Sequence, residues 1–215
     1  MRIPKYYKES FEMLVPKLYD FIFNISLFGK AKKIRLKALR QIPKNSKRII
    51  DLATGTGELA ILTKELFPKS DIVGIDLSYG MLKRAKKKAK NKKLNISFLR
   101  RNIEDTEFSS NKFDVVMIGF ALHEIPEEPR ARIIKEAYRL LKKNKVLVIM
   151  ELNKPKNIVF RNLFRLYLRI FEPDYNRANK FLDYDLEREL KKRKFKYIRT
   201  SYHYLHSVKI IMCKK

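Results

Sequence analysis

The chain has 215 residues, of which 45% are hydrophobic and 34% charged, and a formal net charge of +27. That length fits one domain with an ordinary core, and that hydrophobic fraction excludes a disordered chain. The chain has no run of 18 apolar residues, no apolar segment after Met1-Arg2-Ile3-Pro4-Lys5, and one cysteine, Cys213. These features exclude a spanning helix, a signal peptide, an internal disulfide and a multi-cysteine zinc site, so a cytoplasmic location and no metal ligands are expected.

Residues 5 to 40 read as helices. Phe11, Leu14, Leu18, Phe21, Ile22 and Ile25 recur at helical spacing, and Pro16 marks a break or kink. Gly29 separates them from a second helix, Lys30 to Arg40, which Pro43 closes. Alternation then begins, with strands expected at 47–52, 71–76, 95–100, 113–118 and 145–151 and helices at 57–67, 78–91 and 129–142. Alternating strand and helix predicts a parallel sheet covered on both faces. Apolar runs such as Val115-Val116-Met117-Ile118 and Val146-Leu147-Val148-Ile149 suit that burial. Beyond them an aromatic helix is expected at 156–171 and another helix at 183–194, followed by strands Phe195 to Tyr202 and Ser207 to Cys213. Only His203 to His206 separate these two strands, and a parallel crossover needs about a dozen residues or more, so the pair is an antiparallel hairpin.

The positive charge suits nucleic acid or an anionic membrane, or a solvated lysine-rich surface as in some heat-adapted proteins. The densest run, Lys83 to Lys93, has eight basic residues in eleven. It falls on a predicted helix away from the strand ends, where a solvated face is expected.

The stretch from Ile49 to Ala60 reads as a buried strand ending in an acid, a glycine turn and a helix start. Asp51 is followed by Leu52-Ala53-Thr54-Gly55-Thr56-Gly57. Twenty-five residues after Asp51, Ile72-Val73-Gly74-Ile75-Asp76-Leu77 again ends an apolar run in an acid. Two acids at the carboxyl ends of neighbouring strands, one beside a glycine turn, form a site for a nucleoside-bearing cofactor. The turn Gly55-x-Gly57-x-x-Ala60 also fits the dinucleotide pattern. Three features argue against NAD. Asp51 would repel a pyrophosphate, the terminal hairpin departs from the six-strand parallel fold, and Arg101-Asn102-Ile103-Glu104-Asp105 follows the third strand where an adenine edge is read.

Together these residues resemble class I S-adenosylmethionine-dependent methyltransferases. Asp51 to Gly57 is similar to their first motif and Asp76-Leu77-Ser78 through Met81-Leu82 to their second. Asn102 to Asp105 with Phe108 is similar to the third, and Phe113 to Val116 with Gly119-Phe120-Ala121-Leu122-His123 to the fourth. Tyr138 to Lys142 also matches, with Lys143-Asn144-Lys145 in place of the usual Pro-Gly-Gly. Within the family the chain most resembles the quinone (menaquinone and ubiquinone) C-methyltransferases, through Asn102 and Glu151-Leu152-Asn153-Lys154-Pro155. His123-Glu124 replaces the Arg-Asn usual in that group.

The resemblance implies a three-layer, doubly wound, Rossmann-like α/β domain. Its seven-stranded, mostly parallel sheet has the order 3-2-1-4-5-7-6 and a C-terminal antiparallel hairpin. It implies one methyltransferase domain, 1–215: a helical cover at 1–43, a cofactor-binding core at 44–151, an inserted helical lid at 152–182, and a C-terminal helix and hairpin at 183–215. S-adenosyl-L-methionine is the implied cofactor. Asp51 would take its amine, backbone at Ala53, Thr54, Gly55, Thr56 and Gly57 its carboxylate, and Asp76 the ribose diol. Leu77, Met81 and Ile103 would enclose the adenine, Asn102 read its amino edge, and Gly119 and Phe120 lie beside the sulfur. His123 is the first candidate base because imidazole titrates near neutrality, with Glu124 and Glu151 next.

A small, apolar or lipid-like acceptor, a quinone among them, is expected. Ile158, Phe160, Leu163, Phe164, Tyr167, Leu168 and Phe171 would make the 156–171 helix an apolar cover over the site. Arg161, Arg165 and Arg169 form a basic stripe suited to an anionic membrane surface. Three other readings stay open. One is an RNA methyltransferase using the basic surface, although no Asn-Pro-Pro-Tyr run follows the fourth strand. The others are an NAD-dependent reductase and a non-catalytic cofactor-binding protein.

Overall fold

The structure is a computed structural model that describes residues 3, 4, 6, 7, 20, 29–172 and 174–215. The helical spacing of Phe11 to Ile25, with Pro16, lies outside the described residues. The first described helix, α1 (Ala31–Leu39), buries Ile34, Ala38 and Leu39. There follow β1 (Arg48–Leu52), α2 (Glu58–Leu66), β2 (Asp71–Asp76), α3 (Tyr79–Asn91), β3 (Ser97–Arg100) and β4 (Phe113–Gly119). A single 3-10 turn (Leu122–Glu124) leads to α4 (Glu127–Leu140), β5 (Leu141–Leu152), α5 (Ile158–Phe171), α6 (Tyr175–Phe181), α7 (Leu186–Lys192), β6 (Lys196–His203) and β7 (Val208–Lys214).

The strands form one sheet in the order β3-β2-β1-β4-β5-β7-β6. The first five run parallel, and β7 lies antiparallel to both β5 and β6. The expected mixed sheet and terminal hairpin are therefore present. Val115 to Ile118 and Leu147 to Met150 are at most 1% exposed, so apolar burial from both faces holds the centre of the sheet.

The chain reverses its strand order between β1 and β4, where an open α/β sheet leaves a crevice beyond its strand ends. Leu52 of β1 pairs with Ile75 of β2 and Ile118 of β4. That register brings Ala53, Asp76 and Gly119 to one level at the rim. Gly57 closes the turn before α2 at φ +80°, and its N–H donates to the Thr54 carbonyl at 2.9 Å. A side chain there would lie 2.8 Å from the Ala85 Cβ and 3.0 Å from the Phe98 ring, so only glycine lets α3 and β3 close on the turn.

Several boundaries differ from expectation. β5 begins at Leu141, directly after α4, although Lys143-Asn144-Lys145 reads as a turn. Asp114 supplies the reason. Its Oδ2 accepts the N–H groups of Lys47 and Arg48 at 2.8 and 3.0 Å, and Lys142 and Lys145 lie 3.0 and 3.5 Å from its Oδ1. Burial raises the Asp114 carboxyl, but these partners bring it down to about 2. Helix α6 falls where no helix is expected. The Asp174 carboxylate accepts from the Arg177 N–H and caps it, and Phe181 anchors it in the core. Helix α5 buries only Phe164 and Leu168, and leaves Ile158, Leu163 and Phe171 exposed. In the Lys83–Lys93 run, Lys83, Lys86, Lys87 and Lys90 are exposed. Arg84 and Lys88 turn inward to Asp20, and Lys88 also reaches Glu58 at 2.7 Å.

Candidate active site

The rim at the strand-order reversal opens into a cleft lined by Ala53, Gly55, Asp76, Leu77, Met81, Ile103, Gly119, Phe120 and Glu124. A smaller adjoining cavity, lined by Asp51, Ala53, Thr54, Gly55, Thr56, Gly119 and Phe120, continues it. Twelve of the sixteen candidate residues are therefore split between two joined hollows that share Ala53, Gly55, Gly119 and Phe120. Four candidates stand apart. Gly57 packs against α3. Asn102 accepts the Glu104 N–H at 2.9 Å and so closes its own turn. His123 and Glu151 lie behind the cleft wall, 3% and 0% exposed.

In the smaller cavity Asp51 is buried at the end of β1. Its Oδ2 accepts the Thr54 hydroxyl at 2.6 Å. Burial raises its carboxyl, Thr54 and the nearby Arg35 guanidinium pull it back and Asp76 pushes it up, so it titrates at about 7. Arg35 comes from α1 and lines the same cavity. A buried carboxylate and a guanidinium across one hollow match the amine and the carboxylate of an amino acid.

In the larger cleft Asp76 ends β2. Its Oδ2 accepts the Gly55 N–H at 2.8 Å and its Oδ1 the Ser78 N–H at 2.9 Å. A carboxylate oxygen can accept more than one hydrogen bond, so this group suits a hydroxyl pair. Gly55 has open space where a side chain would project, so a ligand can come down on the turn. Leu77, Met81 and Ile103 are nearly buried and present apolar surface to the cleft. Ala53 and Phe120 hold φ of +57° and +55°, strained values for residues with side chains, and both sit where the two hollows meet.

The far wall comes from segments with no motif in the sequence. Tyr6, Tyr7, Ile125, Asp174 and Arg177 line it, and the α5 helix does not. Tyr6 donates its hydroxyl to Glu104 Oε1 at 2.6 Å. Arg177 donates to the Glu124 carbonyl at 2.6 Å and lies 3.1 Å from Asp174. Among the described residues, the cover of the site is thus Tyr6 and Tyr7 together with Ile125, Asp174 and α6.

Behind this wall His123 Nδ1 and Glu151 Oε2 are 2.8 Å apart, and His123 Nε2 lies 3.5 Å from Glu172 and 3.9 Å from Glu124. Glu151 also accepts the Leu122 and Leu152 N–H groups at 2.6 and 2.9 Å. Burial would raise Glu151, but His123 and these donors hold it low. Burial pulls His123 down, and Glu151 and Glu172 more than reverse this, so it stands well above an ordinary imidazole. Burial raises Glu124, His123 pulls it back and Glu172 and Glu151 push it up, to about 7. Near neutrality, therefore, the group with an intermediate affinity for protons on the cleft wall is Glu124, and His123 already favours its proton.

The profile of the ubiE/COQ5 methyltransferase family matches residues 5–191. The chain is 30% identical to a demethylmenaquinone methyltransferase of Bacteroides fragilis over 169 residues, 77% of this chain and 68% of the relative. It is 33% identical to the demethylmenaquinone methyltransferase of Thermus thermophilus over 160 residues, 74% and 71% of the two chains. Among solved structures it is similar to a Thermotoga maritima S-adenosylmethionine-dependent methyltransferase, a possible histamine N-methyltransferase. The TM-score is 0.69 at 19% identity, over 93% of this chain and 95% of the other. It also resembles Haemonchus contortus phosphoethanolamine N-methyltransferase 2 in complex with S-adenosylmethionine. There the TM-score is 0.72 at 17% identity, over 98% of this chain and 58% of the other.

Proposed function

The chain belongs to the ubiE/COQ5 methyltransferase family and is an S-adenosylmethionine-dependent methyltransferase; from that premise we propose that its acceptor is a quinone-type ring in the reduced, hydroxylated form, methylated at carbon. The observation that carries this reading is the shared cleft, with Asp76 and the Gly55 turn at one end and Tyr6, Tyr7, Phe120 and Glu124 at the other. Its walls are aromatic and aliphatic, and Glu124 is an acidic group that lines it.

The residues present fit the cofactor. Asp51 and Arg35 carry the opposite charges that its amine and carboxylate need, Asp76 has lone pairs for the ribose diol, and Leu77, Met81 and Ile103 suit the adenine. When bound, S-adenosylmethionine supplies a methyl group already activated by a sulfonium. The chain must exclude water, align the acceptor and manage one proton. Alignment alone is worth about 7–11 kcal/mol of the barrier.

An electrophilic methyl needs a nucleophilic carbon. A quinone ring is electrophilic, and a hydroquinone becomes nucleophilic at carbon when its hydroxyl ionises. Glu124 would accept that hydroxyl proton. The ring carbon that gains the methyl group must then lose its own hydrogen as a proton while the ring oxygen regains one, a net loss of one proton from the ring. His123, held by Glu151, keeps the local charge balanced. His123 thus acts as a positioning group in this reading.

Peripheral contact with an anionic membrane belongs to the same reading, since such an acceptor is lipid-like. Val159, Leu163, Leu166 and Ile170 recur along one side of α5 and are exposed, and the exposed Arg169 lies beside them. Among the described residues no helix is long and apolar enough to cross a membrane.

The test uses labelled S-adenosylmethionine with a demethylated naphthoquinol, an anionic-lipid extract and total RNA. Label on the ring carbon of the quinol supports the proposal. Label in RNA, with none in the quinol, contradicts it and favours the basic surface as a nucleic-acid site.

A further inference from the structure

We propose that His123, Glu124 and Glu172 form a binding site for one divalent cation of the zinc or manganese class, at the acceptor end of the cleft. Each residue offers one ligand atom, and these atoms lie within 4.8 Å of one another. They come from the 3-10 turn after β4 and from the end of α5. The site depends on this cluster alone and would stand whatever the acceptor is.

The imidazole is set up as a ligand. Glu151 Oε2 engages Nδ1 at 2.8 Å, and the N–H groups of Leu122 and Leu152 fix that carboxylate in place. A carboxylate on one ring nitrogen orients the other, as outer partners do for metal-binding histidines. Here the other nitrogen, Nε2, faces two more carboxylates.

Distance separates a cation from a proton. N–H···O hydrogen bonds measure about 2.7–3.2 Å. Nε2 is 3.5 Å from Glu172 Oε2 and 3.9 Å from Glu124 Oε1, so a proton on Nε2 bridges neither gap well. Two ligands each about 2.0–2.2 Å from one ion lie about 3–3.6 Å apart in octahedral or tetrahedral geometry. The 3.5 Å separation already fits, the 3.9 Å one must close by a few tenths of an ångström, and the two carboxylates, within 4.8 Å of each other, must draw together on the ion.

Charge agrees with distance. Three carboxylates surround one imidazole. The cations packed nearby are Arg130, Arg177 and Lys209. Arg130 donates to the Leu122 and Ile125 carbonyls at 2.9 and 2.7 Å and lies over the Phe181 and Tyr184 rings. Arg177 is engaged by the Glu124 carbonyl and Asp174, and the Lys209 ammonium lies over the Phe181 ring at 5.6 Å. These contacts are to backbone carbonyls, Asp174 and aromatic rings. One imidazole and two carboxylate oxygens suit a borderline divalent ion better than calcium, which takes six to eight oxygens.

Glu124 lines the cleft, so an ion held by it would lie next to the acceptor space. A hydroxylated ring bound there would have its hydroxyl acidified by the ion. The second oxygen of Glu124 stays available for the proton. This last point rests on the proposed acceptor, whereas the metal site does not.

The experiment is a calorimetric titration of the full chain, stripped with chelator, with zinc and separately with manganese, without cofactor or acceptor. The expected result is one ion per chain. A hundredfold excess over Kd should raise Tm by about 5 °C or more. Glu172→Gln and Glu124→Gln, checked for native circular dichroism, should each weaken binding tenfold or more. His203→Ala should leave it unchanged, because His203 sits elsewhere with Lys37 and Ser201. No binding of either metal up to millimolar concentration overturns the proposal. So does wild-type affinity in both folded glutamine variants, or binding lost in His203→Ala.

Discussion

Gly55 donates its backbone N–H to Asp76 Oδ2 at 2.8 Å, tying the turn after β1 to the end of β2. The residue proposed to hold the ribose also shapes the loop proposed to hold the methionine end. Asp76→Ala removes the acceptor of two backbone donors, since Ser78 N–H bonds the other oxygen. Such losses cost about 1.5–3 kcal/mol per charged partner. We expect a lowered Tm and cofactor affinity reduced at least about a hundredfold. Titration calorimetry checks the second effect, and unchanged affinity in a folded variant rejects the assigned site.

Asp51 titrates at about 7, above the ordinary carboxylate value of 3.8. A buried acid with a raised value binds its proton more tightly folded than unfolded, so it favours the folded state at low pH. Its contribution falls as pH rises from about 4 to about 7. Cofactor binding runs the other way, because an ammonium prefers the ionised form. Affinity should fall by up to about tenfold per pH unit as pH drops below 7, with proton release on binding. Calorimetry at pH 6 in buffers of different ionisation enthalpy measures the release, and Asp51→Asn should abolish it.

Gly74 leaves room for the Thr54 hydroxyl that bonds Asp51. A side chain at 74 would stand 2.8 Å from Thr54 Oγ1 and 2.9 Å from the Phe98 ring. Gly74→Ala should destabilise the chain by about 1–3 kcal/mol, as overpacking does. It should also weaken cofactor binding, since Thr54 must leave its 2.6 Å contact. A thermal melt beside a cofactor titration separates the two effects; a Tm and an affinity both at wild-type values refute the packing argument.

The exposed side of α5 carries Leu163 at 59% and Leu166 at 55% exposure. Leu163→Glu with Leu166→Glu should leave Tm within about 1 °C, because neither side chain is buried. Co-sedimentation with phosphatidylglycerol vesicles should drop severalfold. Equal sedimentation of both proteins removes the membrane from the account.

The sheet was legible because its strands are short apolar runs whose neighbours are fixed by chain length. The four residues between β6 and β7 leave no room for a crossover, and the pairing of His203 with Val208 follows. Local pattern failed where tertiary partners decide. β5 starts at Leu141 because Asp114 sits opposite Lys142 and Lys145. Helix α6, rich in asparagine and preceded by Glu172-Pro173-Asp174, reads as loop until its cap and the packing of Phe181 are seen.

At the site, Asp51, Gly55 and Asp76 were readable because they follow strands and lie in one short pattern. Arg35, Tyr6, Asp174 and Arg177 were not, since each reaches the cleft from a segment distant in the chain. Gly57 and Asn102 matched the same patterns but do not line the two hollows: Gly57 packs against α3, and Asn102 accepts the Glu104 N–H. His123 drew notice for an ordinary imidazole pKa, which its buried carboxylate neighbours remove.

The central claim is that one nucleoside lies along the joined hollows with Asp76 and Asp51 at its two ends. A crystal structure of the chain with S-adenosylhomocysteine tests it most directly. The account predicts both ribose hydroxyls within about 3 Å of the Asp76 carboxylate, the amine facing Asp51 and the carboxylate facing Arg35. A nucleoside bound elsewhere, or one in the cleft whose ribose hydroxyls do not reach the Asp76 carboxylate, would contradict it.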